Sequence, residues 1–394
     1  MTFGKMKPLR ITNYTYTSCL GAGRSANWEA LQAGRSGLKP CDFFQISDLN
    51  TWIGEVADLG DALPARLLDF DCRNNRLAWL ALQQDGFFNA AEAAIARYGA
   101  ARVGVFMGTS TSGIHQTELA YFENQDPLPD WYKYGTTHNV SSVATFIQQA
   151  LGTQGPVMAI STACSSSAKV FASAQRAITA GLCDAAIVGG VDSLCLTTLY
   201  GFHALQLVSP QKCQPFDRQR SGISIGEAGG FALLEKGDES GLYLLGYGES
   251  GDAYHMSSPH PDGAGAQLAM SAALRKAGLD TSEIDYINLH GTGTQANDSA
   301  EAKAVGQLFG NVTPASSTKG WTGHTLGAAG IVEACIGLDA IVHGHLPQNL
   351  HLQEADEGMN IALLKEAAIQ PVTRVLSNSF GFGGSNCSLI LGSL

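Results

Sequence analysis

Short runs of β-branched and other apolar residues alternate along the chain with alanine-rich stretches of helical character. The strand-like runs lie at residues 102–107, 157–160, 185–188, 286–289 and 375–377. Helix-like stretches separate these runs, and the clearest are 168–180 and 326–343. Strands that alternate with helices usually form a mostly parallel sheet with helices on both faces. The sequence therefore predicts an α/β fold.

Composition narrows the class of protein further. Of the 394 residues, 45% are hydrophobic and only 15% are charged, which supplies a large core and excludes a mainly disordered chain. The net charge of −11 argues against broad binding to nucleic acid or to an anionic membrane. We therefore expect a globular protein with no nucleic-acid partner.

The cysteine pattern and the apolar stretches bear on the cellular location. The nine cysteines are scattered without a C-x-x-C pair, which argues against a disulfide framework or a zinc site and favours a reducing compartment. The first residues contain no apolar stretch of the kind found in signal peptides. The most apolar stretch, 326–346, is interrupted by Glu333 and Asp339. These features predict a cytoplasmic protein that does not insert into membranes.

A weak internal repeat predicts two halves. The segments that begin at Ser161 and Ser317 both read as a strand, a sharp turn and a helix of small residues, and they place Cys164 and His324 near their helix starts. With the polar stretch 236–241 as the boundary, the halves are residues 1–240 and residues 241–394. Packed face to face, the halves would bring the two turns to a shared centre. The alternative is that alanine- and glycine-rich helices resemble one another by composition alone.

A glycine-rich turn near the N-terminus, GAGRSA at 21–26, formally fits a dinucleotide-binding fingerprint. That fingerprint needs an acidic residue about 20 positions further on, at the end of a second strand. The candidate, Asp42, does not follow a clear strand. We interpret the turn as an ordinary strand-to-helix connection and expect no nucleotide, flavin or redox cofactor.

Cys164 is the candidate nucleophile, because it lies between a strand-like run and the helix-like stretch 168–180. At the N-terminus of a helix, the dipole and the unpaired N–H groups stabilise a thiolate, lower the pKa of the thiol and make it nucleophilic. Packing is the alternative, because isolated cysteines are often buried as small apolar side chains. Cys183, Cys195 and Cys335 fit that alternative.

Two histidines also follow strand-like runs. His290 opens the turn 291–294, and His324 ends a turn rich in glycine and threonine. In a parallel sheet such turns meet at the edge where active sites form. Two neutral imidazoles that converge there could polarise one carbonyl oxygen. The glycine-rich segment 379–386 could bring a backbone N–H close to that of Cys164 and complete an oxyanion hole.

The sequence motifs then identify a resemblance. They are TACSS around Cys164, PFDRQRSGISIGEAGG at 215–230, HGTGTQAND at 290–298, STKGWTGHTLGAAG at 317–330 and NSFGFGGSN at 378–386. In their order and spacing, and over essentially the whole chain, they resemble the elongating, decarboxylating β-ketoacyl-acyl-carrier-protein synthases of thiolase fold. The resemblance implies two duplicated mixed-sheet halves in an αβαβα layered arrangement.

The resemblance also implies an activity and a role for each motif residue. The activity is decarboxylative Claisen condensation of malonyl-acyl-carrier protein with an acyl group held on Cys164, which extends a fatty-acid or polyketide chain by two carbons. The implied roles are catalysis for Cys164, His290, His324 and Lys319; oxyanion binding and gating for Cys164 and Phe382; support for Glu333 and Asn386; and phosphopantetheine binding for Thr292 and Thr294.

The carrier protein supplies the phosphopantetheine, so the resemblance implies no cofactor and no catalytic metal in this chain. A structural monovalent cation, as in some relatives, stays open. The residues that would surround it are Asn288, Glu333, Ser377 and Asn378.

Two other functions stay open at this stage. One is a CoA-dependent thiolase-type acyltransferase that does not elongate, and the other is a non-catalytic subunit that binds the carrier protein; the intact Cys164 argues against the second. The N-terminal ITNYTYTSCLGAG and the GEAGG at 226–230 depart from the usual family pattern and argue against housekeeping fatty-acid elongation. Together with GTSTSGI at 108–114 they indicate a specialised pathway, such as a bacterial aryl-polyene cluster.

The expected partner is an acyl carrier protein, which is strongly acidic. Because this chain is also acidic, their attraction must be local. We predict a docking patch of Arg66, Arg73 and Arg76 with Lys212; scattered solvated charges are the alternative. The resemblance also implies a dimer joined at sheet edges, either a homodimer or a heterodimer with a chain-length-factor-like ketosynthase.

Overall fold

The computed structural model describes residues 4–43, 49–60 and 62–394. Its strands are β1 Leu9–Ser18, β2 Lys39–Pro40, β3 Trp52–Gly54, β4 Val103–Gly108, β5 Val157–Ile160, β6 Ala185–Asp192, β7 Ile225–Gly226, β8 Ala228–Glu235, β9 Leu242–Gly251, β10 Tyr286–Asn288, β11 Pro314–Ser316, β12 His345–Leu346, β13 Ala362–Leu363, β14 Ala368–Ile369, β15 Arg374–Gly381 and β16 Ser385–Ser393. Its helices are α1 Gly23–Gln32, α2 Arg73–Leu82, α3 Phe87–Tyr98, α4 Ile114–Glu123, α5 Ser142–Leu151, α6 Ser166–Thr179, α7 Leu196–Ala204, α8 Ala264–Ala277, α9 Gln295–Phe309, α10 Lys319–Thr322 and α11 Ala329–His343.

Each strand-like run chosen from the sequence lies, to within one residue, in a strand, namely β4, β5, β6, β10 or β15. The helix-like stretch 168–180 corresponds to α6, and 326–343 comprises a 3-10 turn at Leu326–Ala328 followed by α11. Strands β4 and β6 are buried along their whole length. Continuous apolar runs suit such strands because both faces are covered by other elements. The predicted α/β fold is confirmed, but the expectation of a mostly parallel sheet is wrong. The strands β1, β8, β9 and β16 pair antiparallel with their neighbours, so the sheet is mixed.

The main sheet consists of two halves with one topology. Among the described residues it has 11 strands in the order β13-β11-β10-β15-β16-β9-β1-β8-β6-β4-β5. From the join outwards, each half presents its first, fifth, fourth, second and third strand, and β13 extends the far edge of one half. The halves meet where Leu9–Ile11 of β1 pairs with Leu242–Leu244 of β9. The predicted domain boundary falls between β8 and β9, in the connection 236–241.

Helices complete a layered, thiolase-like arrangement. The helices α6 and α11 contact each other and lie between the two halves of the sheet. Helices α2, α3 and α5 cover the outer face of the N-terminal half, and α8 and α9 cover that of the C-terminal half. The result is the predicted αβαβα order, with the deepest apolar cluster around the central helices.

The stretch Leu326–His343 is long and apolar enough to span a membrane, but 83% of it is buried inside the protein. Burial among the two sheet halves and α6 explains its apolar sequence without a membrane.

The glycine-rich turn near the N-terminus joins β1 to α1, as interpreted from the sequence. The backbone N–H of Arg24, in the first turn of α1, donates to the carboxylate of Asp85 at 2.9 Å. A protein carboxylate therefore occupies the helix end where a dinucleotide fingerprint would hold a pyrophosphate.

Candidate active site

Cys164 lies in the sharp turn between β5 and α6. Its neighbour Ala163 has a φ of 52°, a left-handed conformation that is strained for a residue with a Cβ atom and is common at functional sites. Helix α6 begins at Ser166, so the turn places the cysteine at the helix N-terminus, as the sequence predicts. The cysteine is only 5% exposed.

The two histidines enter from the C-terminal half. His290 follows β10, and its backbone N–H donates to the buried carboxylate of Glu301 at 2.8 Å. His324 follows α10 and pairs with the segment around β7: its N–H donates to Ser224 O at 2.7 Å, and its carbonyl accepts from Gly226 at 3.0 Å. Both histidine backbones are therefore held by buried hydrogen bonds.

The structure brings the cysteine and both histidines together. Nε2 of His324 lies 3.0 Å from Sγ of Cys164, and the rings of His290 and His324 meet edge to face with centroids 5.4 Å apart. The sulfur of Cys164 and one ring nitrogen from each histidine all lie within 4.8 Å of one another. Residues about 160 positions apart, Cys164 and His324 for example, thus share one chamber.

Hydrogen bonds assign the proton of each neutral ring. Nδ1 of His324 accepts from the backbone N–H of Leu326 at 3.2 Å, and Nδ1 of His290 lies 3.3 Å from Nζ of Lys319. An ammonium group and a backbone N–H can only donate, so each Nδ1 is an acceptor and each Nε2 carries the proton. Burial, reinforced by the charge of Lys319, holds the pKa of both histidines well below its usual value. Both rings are therefore neutral hydrogen-bond donors at neutral pH.

Lys319 connects the histidines to the central helix. Its ammonium group donates to the backbone carbonyl of His290 and forms an ion pair with Glu333 of α11. The lysine is 1% exposed and the glutamate 2%. Burial raises the pKa of Glu333 to about 7, although the lysine charge opposes that rise. A cation beside His290 disfavours its protonation, which preserves the ring as a neutral donor.

The pKa of the cysteine differs from the expectation of a depressed value. Burial raises the pKa of Cys164 to about 11, and the charge of Lys319 and the backbone N–H of Phe382 lower it by less. The expectation of a thiolate at rest is therefore wrong, because removal of the thiol from water outweighs the helix end and the lysine. The nucleophile rests as a thiol, with the N–H of His324 available to stabilise the thiolate.

The glycine-rich loop between β15 and β16 lies against the nucleophile. A Cβ atom on Gly381 would lie 2.8 Å from Thr162 O and 3.3 Å from the backbone nitrogen of Cys164, so a side chain there would push the loop away. The backbone N–H groups of Phe382 and Cys164 both interact with Sγ. These two donors are placed to bind an oxyanion that forms beside the sulfur.

A cavity leads from the cysteine toward the surface. Its walls include the predicted phosphopantetheine residues Thr292 and Thr294, which hydrogen-bond each other at 2.9 Å, and the predicted supporting residue Asn386. Phe382 lines the cavity with its ring 5.5 Å from that of Phe202. Apolar side chains such as Phe202, Leu207 and Ile223 line the cavity together with these polar groups, which suits an extended chain that ends in a thioester.

Sequence reasoning missed one wall of this cavity. Asp252, Ser257 and Pro259 lie in the connection between β9 and α8, and Asp252 accepts a hydrogen bond from Asn386 at 2.8 Å. The motif GDAYHMSSPHPDG has the glycine, proline and aspartate content of a long loop, but no residue pattern in it points to catalysis.

The four predicted docking residues have different surroundings in the structure. Arg73 is 17% exposed and pairs with the buried carboxylate of Glu227 at 2.9 Å, so the structure argues against a docking role for it and assigns it to the interior. Arg76 pairs with Asp71, and Arg66 donates to two backbone carbonyls of α5. Lys212 lies over the ring of Trp52 at 4.9 Å. These last three positions stay predictions.

Two places in the site could hold an ion. Cys164, His290 and His324 offer a thiol and two imidazoles of the kind that bind zinc, but the thiol has a raised pKa, which weakens such binding. At the predicted monovalent-cation site, oxygens of Asn288 and Glu333 are buried without a hydrogen-bond partner among the described residues. Asn288 is the register partner of Ser377 in the adjacent strand. The oxygen-rich donor set fits a monovalent cation, which stays a prediction.

Family models and known proteins agree with this geometry. The beta-ketoacyl synthase N-terminal domain matches residues 6–240 and the C-terminal domain residues 243–353. The 3-oxoacyl-[acyl-carrier-protein] synthase 2 of Vibrio cholerae is 32% identical (96% of this chain, 97% of the relative), and that of Coxiella burnetii is 34% identical (97% of each). The chain therefore belongs to the beta-ketoacyl synthase family and is an acyltransferase of the condensing type.

The fold is also similar to solved structures of ketosynthases. A ketosynthase (ApeO) in complex with its chain length factor (ApeC) from Xenorhabdus doucetiae has a TM-score of 0.92 and 38% identity, and covers 98% of both chains. The ishigamide ketosynthase/chain length factor has a TM-score of 0.88 and 27% identity, and covers 99% of this chain and 100% of that one. The duplicated, five-layered fold is thus that of known ketosynthases.

Proposed function

We propose that Cys164 accepts an acyl group from an acyl carrier protein and that His290 and His324 direct decarboxylative condensation with malonyl-carrier protein. The observation that carries this proposal is the convergence of one thiol and two Nε2–H donors in a single buried chamber. The alternative of a CoA-dependent, non-elongating thiolase-type enzyme is not favoured, because neither neutral imidazole has an Nε2 lone pair with which to remove a proton from a substrate carbon.

In the first half-reaction, the sulfur of Cys164 attacks the thioester carbon of the acyl-carrier protein. The backbone N–H groups of Cys164 and Phe382 bind the oxyanion, and the N–H of His324 stabilises the developing thiolate. The bond to the phosphopantetheine sulfur then breaks. The departing thiol takes up the proton that the cysteine loses, and the acyl group remains on Cys164.

In the second half-reaction, the malonyl thioester oxygen lies between His290 and His324. Loss of CO₂ from the carboxylate leaves an enolate, whose oxygen accepts hydrogen bonds from both Nε2–H groups. Each such donor lowers the barrier by about 3 kcal/mol, or roughly a hundredfold in rate. The enolate carbon attacks the acyl thioester of Cys164, which releases a β-ketoacyl-carrier protein two carbons longer and a thiolate that regains a proton.

We also propose supporting roles for residues around the chamber. Lys319, paired with Glu333, keeps His290 neutral, and Phe382 gates the entry of malonyl groups beside Phe202. Thr292 and Thr294 line the path of the phosphopantetheine arm, and Asn386 supports the loop opposite them through Asp252.

Two incubations and one variant test this function. Intact-mass analysis after incubation with acyl-carrier protein should show one acyl group on the wild-type protein and none on Cys164→Gln. Release of CO₂ from malonyl-carrier protein should continue in that variant, while condensation falls by three orders of magnitude or more. Acylation of Cys164→Gln, or absence of CO₂ release from the wild-type protein, would contradict the proposal.

The chain belongs, in our proposal, to a specialised polyketide or aryl-polyene-type pathway and works as a heterodimer with a chain-length-factor-like subunit. The resemblance to a ketosynthase solved with its chain length factor, at 38% identity, supports this choice over housekeeping elongation. Strand β5 is the free edge of the N-terminal half, and Met158 on it is 47% exposed. On helix α4 of the same half, Tyr121 and Phe122 are 51% and 72% exposed. An apolar sheet edge and exposed aromatic side chains in the same half suit an obligate partner.

Size-exclusion chromatography with light scattering tests whether the chain forms this heterodimer. The chain co-expressed with a chain-length-factor-like subunit from the same organism should elute as a one-to-one complex. Met158→Glu should dissociate it, because a charge at the shared edge would be buried, whereas Val312→Glu should not, since Val312 is 79% exposed in the other half. A stable homodimer that ignores the second subunit would contradict the heterodimer. The cytoplasmic location and the boundary at residue 240 stay predictions.

A further inference from the structure

Asp192 is a buried acid close to the catalytic chamber with no role in the steps above. It ends β6 in the N-terminal half and is fully buried. Among the residues that the structure describes, no lysine, arginine or histidine forms an ion pair with it. Its charge is instead balanced by a dense set of N–H and O–H donors.

These donors come from two separate loops. From the turn after β4, Oδ1 accepts from the hydroxyls of Thr109 and Thr111 at 2.6 and 2.8 Å, and the carboxylate also accepts from the backbone N–H groups of Ser110 and Thr111. From the loop that carries the second histidine, Oδ2 accepts from the backbone N–H of Gly327 at 2.5 Å. The hydroxyl of Ser110 also accepts from Gly327, at 3.0 Å.

The contact with Gly327 bears directly on the orientation of a catalytic ring. The preceding residue, Leu326, has a φ of 53°, which is strained for a leucine. With the N–H of Gly327 anchored, this φ determines where the N–H of Leu326 points, and it points to Nδ1 of His324 at 3.2 Å. That hydrogen bond keeps the ring proton on Nε2. A relaxed Leu326 would withdraw its N–H and allow the proton to move to Nδ1.

We propose that Asp192 is a positioning residue that holds His324 in its Nε2–H form, by anchoring the strained Leu326–Gly327 turn. The inference rests on the proposed function for what the ring does, but the tautomer itself is a property of the free protein. It also gives a role to the hydroxyl-rich segment 109–111, whose side chains complete the anchor.

The experiment uses the full-length protein with ¹⁵N-labelled histidine. His324 signals are identified by their loss in His324→Ala, and the ring ¹⁵N shifts report the tautomer. In Asp192→Asn, the amide NH₂ must face a backbone N–H, so the anchor weakens. We expect a mixture of Nε2–H and Nδ1–H forms, and malonyl decarboxylation about tenfold to a hundredfold slower. Acylation of Cys164 should slow by a smaller factor, less than tenfold, because the backbone N–H groups of Cys164 and Phe382 still bind its oxyanion.

The matched control is Asp339→Asn. Asp339 is another buried acid, toward the C-terminal end of α11, and it accepts hydrogen bonds from Tyr14 and Tyr16 at 2.6 and 2.9 Å. The variant should leave the His324 tautomer and both half-reactions unchanged. If Asp192→Asn does not fold, Ser110→Ala replaces it and should move the tautomer in the same direction by a smaller amount.

An unchanged Nε2–H signal in the folded variant would overturn the proposal. So would an equal loss of acylation and decarboxylation without a tautomer shift, because that pattern indicates general disorder of the fold. A wild-type protein that releases no CO₂ would instead reject the proposed function, and the tautomer shift would still test Asp192.

Discussion

The two halves of the molecule share one strand order but supply different chemistry at corresponding places. The turn after the third strand carries Cys164 in the N-terminal half and leads to Lys319 and His324 in the C-terminal half. The turn after the second strand carries hydroxyl groups bound to Asp192 in one half and His290, held by Glu301, in the other. Duplication thus provides equivalent positions at a shared centre, and side-chain identity decides whether each position reacts or supports.

The largest expected effect is the loss of decarboxylation when a histidine of the C-terminal half is removed. His324→Ala and His290→Ala should each slow malonyl decarboxylation by about two to three orders of magnitude, because each removes one N–H donor to the enolate. Acylation of Cys164 should remain, within tenfold. Radioactive CO₂ release and intact mass measure the two reactions, and His203→Ala, on the exposed part of α7, serves as control. Full condensation rates in both variants would refute the division of labour.

A second prediction concerns the link between the halves. Glu227 of the N-terminal half is buried and follows β7, which pairs with His324, and the partly exposed Arg73 is its counter-charge. Arg73→Ala should lower the free energy of unfolding by about 3–5 kcal/mol, because it leaves a buried carboxylate unpaired. Denaturant unfolding measures the change. Arg76→Ala, which breaks a half-exposed pair, should lower it by less than about 1 kcal/mol; equal losses would contradict the assignment of Arg73 to the interior.

The last prediction tests the resting state of the N-terminal nucleophile. Because the pKa of Cys164 is raised to about 11, its thiolate fraction is small at neutral pH and rises roughly tenfold for each pH unit up to that value. Alkylation by iodoacetamide, followed by intact mass, should therefore accelerate steadily from pH 6 to pH 9. A rate that is already flat below pH 7 would indicate a thiolate–imidazolium pair and contradict the neutral chamber. Cys164→Ser provides the background rate of the remaining cysteines.

Much of the fold and of the active site could be predicted from the sequence. Alternating strand and helix patterns were sufficient for the α/β fold, and the motifs around Cys164, His290 and His324 were sufficient for the family, because both depend on local residue order. Arg73 was predicted to be a surface charge, because its partner Glu227 lies 154 positions away and no local pattern indicates their pairing.

The sequence alone determined which chemical groups are available: one thiol at a helix start, two histidines at strand ends and glycines that allow close approach. Only the tertiary structure decided their state. Burial raised the pKa of Cys164 and lowered that of both histidines, and backbone contacts from Leu326 and Asp192 set the ring proton. Desolvation and hydrogen bonding depend on what surrounds a group in space, and neighbours along the chain do not specify those surroundings.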